Sequence, residues 1–269
     1  DTGKAAHLSG SSWTGQVSLT GLGDWLYAVK DGKLWRVDPG TGRATHLSES
    51  SWTGYVVLSG LGDSLYAIEK GKLWQVDPGT GKATHLSGSS WTGQVSLAGL
   101  GDWLYAIEKD TLLLIDPDTG KTTQLPHLPE SSWLGRASLT GLGDSLYAME
   151  KEKLWQIDPD TGKAAHLPGS NWIGEVSLTG FGDSLYAIEN ERLWRVDPAT
   201  GRAALLSESS WLGQVPLTGL GDSLYAIEKG KLWRIDPGTG KAIHLPESSW
   251  TGQVSLAGPE ERLDAIEKK

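Results

Sequence analysis

Seven tryptophans recur in one short motif, and their side-chain chemistry makes them the first candidates for a binding function. Each lies in a Trp-x-Gly segment, and the motif returns every 39 residues apart from one spacing of 42. The face of an indole can stack on the C–H side of a sugar ring, and nearby Ser, Glu and Lys side chains can hydrogen-bond its hydroxyls. These candidate stacking residues are Trp13, Trp52, Trp91, Trp133, Trp172, Trp211 and Trp250.

Glutamate and lysine pairs recur at a second position of the same repeat and are candidates to complete each sugar subsite. The pairs considered are Glu69 and Lys70, Glu108 and Lys109, and Glu228 and Lys229. Packing is the competing interpretation, because a buried Trp covers roughly 150–250 Å² and its indole N–H usually finds a backbone acceptor. The sequence leaves both roles open for the loop tryptophans.

The tryptophan motif belongs to a longer unit of about 39 residues that reads as four short strands. In the second full unit the apolar runs are residues 55–58, 65–68, 72–76 and 83–86. A Gly-rich hairpin connection at 60–63 and a turn at 69–71 separate the first three runs. Asp77-Pro78-Gly79-Thr80-Gly81 has the proline and glycines of a hairpin turn. The chain shows no sustained 3.6-residue apolar period, so the pattern predicts an up-and-down meander without helices.

A four-stranded meander of about 40 residues repeated around an axis is the unit of a β-propeller. Leucine-rich, ankyrin and tetratricopeptide repeats, the main alternatives at this period, need a helix or a single strand in each unit. The sequence therefore predicts an all-β fold, with residues 1–269 forming a single β-propeller domain.

The number of blades follows from counting strands of each type. The sequence contains seven first, seven second, six third and seven fourth strands, opens on a fourth strand at 5–8 and ends after a second strand at 263–266. This count predicts a seven-bladed β-propeller whose incomplete terminal blade is closed by both termini, which would leave few exposed edges. A six-bladed ring with unpaired ends, or with ends exchanged between chains, is the alternative.

Parts of the unit resemble known propeller repeats. Leu-Trp-x-Val-Asp in the third strand resembles the Trp-Asp position of WD40 blades, and Asp-Pro-x-Thr-Gly-Lys after Leu-Tyr-Ala-Ile is similar to quinoprotein-type repeats. The Gly-His start of the first family and the closing Trp of the second are absent. The short, nearly identical Trp- and Gly-rich blades also resemble lectin propellers of the tachylectin and tectonin kind, which implies repeated sugar sites without assigning residue roles.

Three further sets of repeated residues favour structural roles. The third-strand tryptophans alternate within a strand and are predicted to lie in the core: Trp35, Trp74, Trp155, Trp194 and Trp233. The histidines fall one per blade on the outer strand, so they are too far apart to converge on a metal ion. The aspartates that follow Gly-Leu-Gly, such as Asp24 and Asp63, suit the hairpin turn.

Composition and repetition exclude several classes of function. A net charge of −9 and a pI of about 5.2 argue against nucleic-acid binding. No apolar run reaches the roughly 18 residues of a membrane span, so membrane insertion is not expected. A catalytic centre needs different groups at one place, whereas every candidate is copied around the ring, so we predict no enzyme activity, no cofactor and no metal.

Two hypotheses of different classes remain. The first is a multivalent carbohydrate-binding propeller whose equivalent sites on one face recognise glycans or glycoconjugates by avidity. The second is a non-catalytic protein-interaction or structural scaffold whose blades are alike through recent amplification or consensus design. Burial of the loop indoles would weaken the first hypothesis. The sequence leaves the compartment open, with a slight preference for a secreted protein, and the oligomeric state unknown.

Overall fold

The computed structural model describes residues 18–246, except positions 48, 50, 89, 110, 126–136, 151, 170–171, 174–175, 208–210 and 213–214. The described chain folds into six antiparallel sheets of four strands each. Within it, no helix has the length and apolar character needed to cross a membrane. The all-β propeller architecture predicted from the repeat is confirmed.

Each blade is built from one continuous stretch of chain whose strands follow one another in space. The strands of the first three blades are β1 (Ser18–Leu22), β2 (Trp25–Lys30), β3 (Lys33–Val37), β4 (Ala44–Leu47), β5 (Val56–Leu61), β6 (Ser64–Glu69), β7 (Lys72–Val76), β8 (Ala83–Leu86), β9 (Val95–Leu100), β10 (Trp103–Glu108), β11 (Thr111–Ile115) and β12 (Thr122–Gln124). Those of the last three are β13 (Ser138–Leu142), β14 (Ser145–Glu150), β15 (Lys153–Ile157), β16 (Ala164–Leu167), β17 (Ser177–Phe181), β18 (Ser184–Glu189), β19 (Arg192–Val196), β20 (Ala203–Ser207), β21 (Leu217–Leu220), β22 (Ser223–Glu228), β23 (Lys231–Ile235) and β24 (Ala242–His244).

The predicted strands of the second unit match the structure closely. The third and fourth runs coincide with β7 and β8. The first strand, β5, extends to Leu61 through Gly60, which the sequence pattern places in the first turn. Gly60 stays extended because it pairs with Leu65 of β6, which leaves only Gly62 and Asp63 in the turn. A two-residue hairpin with positive φ at its first residue, 55° at Gly62, is typical of a type II′ turn.

The prediction of seven blades is wrong, because six blades already close the ring. β1 packs beside β21, and the Gly21 N–H donates to Thr218 Oγ1 over 3.2 Å. One apolar cluster joins Leu19 and Leu26 of the first blade to Tyr225 and Leu245 of the sixth. The segments assigned to a blade shared by both termini, within 1–17 and 247–269, lie outside the described residues.

Six glycines set how closely the inner strands approach one another. A Cβ on Gly60 would stand 2.8 Å from the Gly21 carbonyl oxygen, and one on Gly99 would stand 2.6 Å from the Gly60 carbonyl oxygen. These distances are below van der Waals contact, so only glycine allows this spacing of the inner strands. The ring consists of Gly21, Gly60, Gly99, Gly141, Gly180 and Gly219.

Hydroxyl side chains accept hydrogen bonds from backbone N–H groups on the free edges of β1, β5, β9 and β17. Ser18 Oγ accepts from Leu58 N over 2.9 Å, and Thr20 Oγ1 accepts from Gly60 N over 3.2 Å. The same pairing recurs farther round the ring, for example from Gly180 N to Thr140 Oγ1. These bonds replace the strand partner that an inner edge lacks, and they join neighbouring blades.

The hydrophobic core lies between blades. In β2, Leu26 and Ala28 pack in the cluster shared with the sixth blade, whereas Tyr27 and Val29 pack against the second blade. Successive strand residues point to opposite faces, so a strand buried on both faces must be apolar throughout. This explains why Leu-Tyr-Ala is copied in every blade.

Candidate functional site

The propeller presents two faces with different chemistry. The connections between blades, such as 51–55, lie beside the turns between second and third strands, such as Lys70-Gly71. Together they form what we call the loop face. The backbone N–H of Trp52 donates to the Gly32 carbonyl over 2.8 Å, and the backbone N–H of Trp91 donates to the Gly71 carbonyl over 2.9 Å. Each loop is thereby tied to the preceding blade.

The loop tryptophans that the structure describes are buried. Trp52 is 4% exposed and Trp172 is 2% exposed, and Trp91 and Trp211 are similarly covered. Trp52 meets Trp74 edge to face at 6.3 Å between ring centroids, and the corresponding Trp211–Trp233 distance is 6.1 Å. Trp13, Trp133 and Trp250 lie outside the described residues. A sugar-stacking role for these residues stays a prediction, and at the four buried indoles it would require the loop to open.

The predicted glutamates do reach the tryptophan loops, where they accept backbone hydrogen bonds. Glu69 Oε1 accepts from the N–H and hydroxyl of Thr53, and Glu228 Oε1 accepts from Leu212 N over 2.8 Å. Glu108 Oε1 accepts from Thr92 and from Gly93. Each carboxylate therefore holds the backbone of the residue that follows the loop tryptophan.

Sequence reasoning missed two more glutamates at this position of the repeat, Glu150 and Glu189, and both are buried. Glu189 is buried and accepts from Ile173 N, although only three of the repeated glutamates were singled out as binding residues. Their place in the repeat, at the end of the second strand, was the signal that could have found them. The glutamates hold loops at successive blade junctions.

The predicted lysines lie on the loop face in tight turns. Lys70, Lys109 and Lys229 have positive φ angles of 48°, 53° and 47°. Lys70 Nζ donates to Thr53 Oγ1, and Lys229 Nζ lies 3.8 Å from Glu228 Oε1. The structure therefore brings together Trp, Glu and Lys from each described site, but around buried indoles.

Three side chains with large apolar surfaces are exposed among the polar residues of the loop face: Tyr55, Ile173 and Leu212. Tyr55 is 48% exposed and directly follows the Trp-x-Gly motif of its loop. Ile173 is 65% exposed and Leu212 is 45% exposed, and both occupy the middle position of Trp-x-Gly. The equivalent residues before the second and third blades are the exposed threonines Thr53 and Thr92. The loops of Ile173 and Leu212 lie at consecutive blade junctions, so these residues break the symmetry of the ring on one side.

The opposite face, which we call the turn face, opens into a pit on the ring axis. The pit has a volume of about 500 Å³. Its wall consists of the Gly-Leu-Gly segments that end the inner strands, including Leu22, Leu61, Leu100 and Leu142, with Phe181 in the equivalent place of the fifth blade. An exposed aspartate follows each of these segments: Asp24, Asp63, Asp102, Asp144, Asp183 and Asp222.

A second set of aspartates on the turn face closes the hairpins between third and fourth strands. Asp77 Oδ1 accepts from Gly79 N over 3.0 Å, from Thr80 N over 2.7 Å and from Thr80 Oγ1 over 2.9 Å. The bond from the Thr80 backbone is the main reason that the pKa of Asp77 lies below its ordinary value. These residues stabilise turns, as the Asp-Pro-x-Thr-Gly pattern predicts.

The histidines pack against the third-strand tryptophans. His85 lies 5.1 Å from Trp74 and His46 lies 5.2 Å from Trp35, between ring centroids. Burial lowers the pKa of His46, with a smaller contribution from Lys33. The described part of the chain contains no group of three or more His, Cys, Asp or Glu side chains that could hold a metal ion.

Comparison with known proteins relates this chain to others through its fold. No protein-family model matches it, and a search of curated proteins finds no match. PorZ of Porphyromonas gingivalis, a surface component of the type-IX secretion system, superposes with a TM-score of 0.54 at 13% identity over 84% of this chain. This chain spans 37% of PorZ.

A second similar structure comes from the nidogen/laminin complex. It has a TM-score of 0.64 at 17% identity, over 81% of this chain and 91% of that one. At these identities the likeness shows a shared propeller fold and assigns no function.

Proposed function

We propose that this protein is a non-catalytic protein-binding propeller that recognises its partner through the side of the loop face carrying Ile173 and Leu212. The carrying observation is their exposure, 65% and 45%, at a position that is threonine in the loops of Thr53 and Thr92 and leucine at Leu134. Exposed apolar residues that break a polar, repeated surface are typical of protein interaction sites.

The contacts beneath these side chains support the proposal. Glu189 and Glu228 accept hydrogen bonds from the backbones of Ile173 and Leu212, so both residues are held in place before a partner arrives. A preorganised surface loses less conformational entropy on binding. The two similar structures are a surface component of a secretion system and a chain from a nidogen/laminin complex, and both belong to protein assemblies.

Multivalent glycan binding is the competing proposal. It draws on the near-identity of the blades, because repeated sites gain avidity on a surface of repeated sugars. Its proposed contact residues include indoles that are 2% to 5% exposed, and carboxylates already engaged by loop backbone. We therefore rank protein binding first.

A random 12-residue peptide-display library and a glycan array, screened with the same protein, test the two proposals together. The variant Ile173→Thr/Leu212→Thr introduces the residue found at Thr53 and Thr92. Its control is Leu205→Thr/Ile243→Thr, which removes two apolar residues that are also exposed but lie on outer strands. We expect selected peptides to lose at least tenfold in affinity with the first variant only.

Three results would overturn protein binding at this surface. One is equal binding of the selected peptides to both variants. Another is enrichment of no peptide. The third is selective glycan binding that Trp52→Ala abolishes in a folded protein, which would establish the carbohydrate-binding hypothesis instead.

A further inference from the structure

A cavity in the sixth blade is lined by an arginine that no described residue pairs with. The cavity lies at the turn face and has a volume of about 390 Å³. Its lining includes Arg234 of β23 and Ile243 of β24, which are cross-strand partners, and Lys241 of the hairpin between these strands. Arg234 also lies opposite Tyr225, which packs in the cluster shared with the first blade. Directly opposed residues share one side of a sheet, so the cavity lies on the side of the sixth blade that faces the closing junction of the ring.

The equivalent arginines of two other blades are engaged by side chains of their own blade. In the first blade, Arg36 lies over the ring of Trp25, 4.6 Å from its centroid. In the fifth blade, Arg195 Nε donates to Ser184 Oγ over 2.9 Å. An arginine at this position of the third strand is therefore able to find a partner on the neighbouring strand.

The sixth blade does not give Arg234 such a partner. Ser223 Oγ donates to Asp222 Oδ1 over 2.8 Å, and the backbone N–H of Thr239 donates to Asp236 Oδ1 over 2.7 Å, so both carboxylates of the cavity already accept hydrogen bonds. Within the part of the chain that the structure describes, the half-buried Arg234 makes no hydrogen bond or ion pair. Its N–H donors are available to a ligand in the cavity.

We propose that this cavity binds a ligand with a single carboxylate and an adjacent apolar group. The paired N–H donors of the Arg234 guanidinium match the two oxygens of a carboxylate, and the exposed Lys241 adds a second positive charge. Ile243 is 48% exposed and supplies the apolar contact. The two aspartates of the lining offset the two cations, which favours a monoanion over a phosphate ester with its greater charge. The cavity lies on the opposite face from Ile173 and Leu212, so this inference does not depend on the function proposed for that surface.

Phenylacetate is a suitable probe, and phenylacetamide is its control because it keeps the shape of the probe and removes its charge. In protein with isotope-labelled arginine, we expect phenylacetate to shift the NMR signal of the Arg234 Nε–H. Phenylacetamide should leave that signal in place.

A capped dipeptide, N-acetyl-alanyl-phenylalanine, distinguishes two sources of the carboxylate. Binding about tenfold tighter than that of phenylacetate would assign the site to the C-terminus of a peptide. Binding of similar strength would assign it to a small free acid.

Matched arginine variants test the role of Arg234. Arg234→Gln introduces the residue found at Gln75 and Gln156 in the second and fourth blades, so we expect the fold to be kept. It should weaken phenylacetate binding about tenfold, because a charge-assisted bidentate contact is lost. Arg195→Gln, which replaces the engaged arginine of the fifth blade, is the control and should change binding less than about twofold.

A further variant tests the apolar contact. Ile243→Thr introduces the residue found at Thr84 and Thr123, and it should weaken phenylacetate binding about threefold. The proposal is overturned if the Arg234 signal does not move with phenylacetate or moves equally with phenylacetamide. It is also overturned if Arg195→Gln weakens binding as much as Arg234→Gln, if Ile243→Thr binds like the wild type, or if inorganic phosphate binds more tightly than phenylacetate.

Discussion

In the turns of the loop face, some blades have a non-glycine residue at a position whose backbone conformation favours glycine. The turns between second and third strands require positive φ at both central residues, 48° and 72° at Lys70 and Gly71, as in a type I′ turn. Glu191 takes the place of that glycine in the fifth blade at a φ of 65°. A non-glycine residue in this region carries a steric penalty.

Glu191→Gly should therefore stabilise the protein. Relief of the left-handed strain is worth about 1 kcal/mol of unfolding free energy, partly offset by the greater freedom of glycine in the unfolded chain. Urea denaturation would measure the change in unfolding free energy, provided that the m-value is the same in both proteins. The reciprocal change Gly71→Ala should destabilise, because its Cβ would collide with the Trp91 carbonyl oxygen. A lower denaturation midpoint for Glu191→Gly would contradict this account.

The aspartates of the hairpins between third and fourth strands make stability depend on pH. Hydrogen bonds from Thr161 are the main cause that lowers the pKa of Asp158 below its ordinary value of 3.8. The folded state then binds fewer protons than the unfolded state. The stabilisation is therefore present above pH 3.8 and is lost as the pH falls through the lower folded-state pKa.

Asp158→Asn should reduce this dependence, because the amide keeps an acceptor oxygen but cannot lose a proton. We expect a lower unfolding free energy than wild type at pH 6 and a similar value at pH 2. Urea denaturation midpoints measured between pH 2 and pH 6 test the reduced pH dependence. Asp160→Asn, in the same turn, is the control. An unchanged pH slope in Asp158→Asn would show that the turn does not couple to protonation.

At the scale of the strand, the inner strands are constrained by close approach more than by strand propensity. Glycine weakens an isolated strand, yet the glycine ring places one within every inner strand. The reason is the neighbouring backbone, since the inner strands converge on the axis. Thr20, one residue before Gly21, joins the same two blades because its hydroxyl accepts a hydrogen bond from the Gly60 N–H.

Gly99→Ala should therefore destabilise the ring by about 1–3 kcal/mol, as expected for overpacking a tight contact. Its Cβ would stand 2.6 Å from the Gly60 carbonyl oxygen, so two blades must separate. Gly101→Ala is the control, because its Cβ would meet open space and only the positive φ of 58° is unfavourable. Thermal unfolding should show the larger loss for Gly99→Ala, and an equal loss would argue against close approach as the cause.

At the scale of the whole molecule, the six blades form a ring whose closing junction has the same chemistry as the junction between the first and second blades. Gly21 N donates to Thr218 Oγ1 over 3.2 Å, as Gly60 N donates to Thr20 Oγ1 over 3.2 Å. The apolar cluster across this junction likewise resembles those between sequential blades. Closure therefore joins chain segments far apart in sequence through contacts that the repeat already encodes.

Thr218→Val and Thr20→Val should lower the unfolding free energy by similar amounts, about 1 kcal/mol each. Each leaves a backbone N–H without its hydroxyl acceptor. Chemical denaturation of the two variants side by side tests whether the ring is closed in solution. If Thr20→Val lowers the unfolding free energy and Thr218→Val leaves it unchanged, the ring is open in solution.

The local pattern of the sequence was sufficient to predict the blade. Alternation in Leu-Tyr-Ala, the hairpin of Asp77 to Gly81 and the 39-residue period specify four strands and their turns, because these depend on neighbours within one unit. The period also placed Trp, Glu and Lys on one face. These features follow from the connectivity of a meander.

The tertiary structure decides the number of blades and the burial of the loop tryptophans. Counting repeats predicted seven blades, but the number that closes depends on the angle between adjacent sheets, which contacts such as Gly99 against Gly60 set. Whether Trp52 stacks on a ligand or packs inside depends on Trp74 and the preceding blade. Both are relations between units, so a sequence read one unit at a time could not determine them.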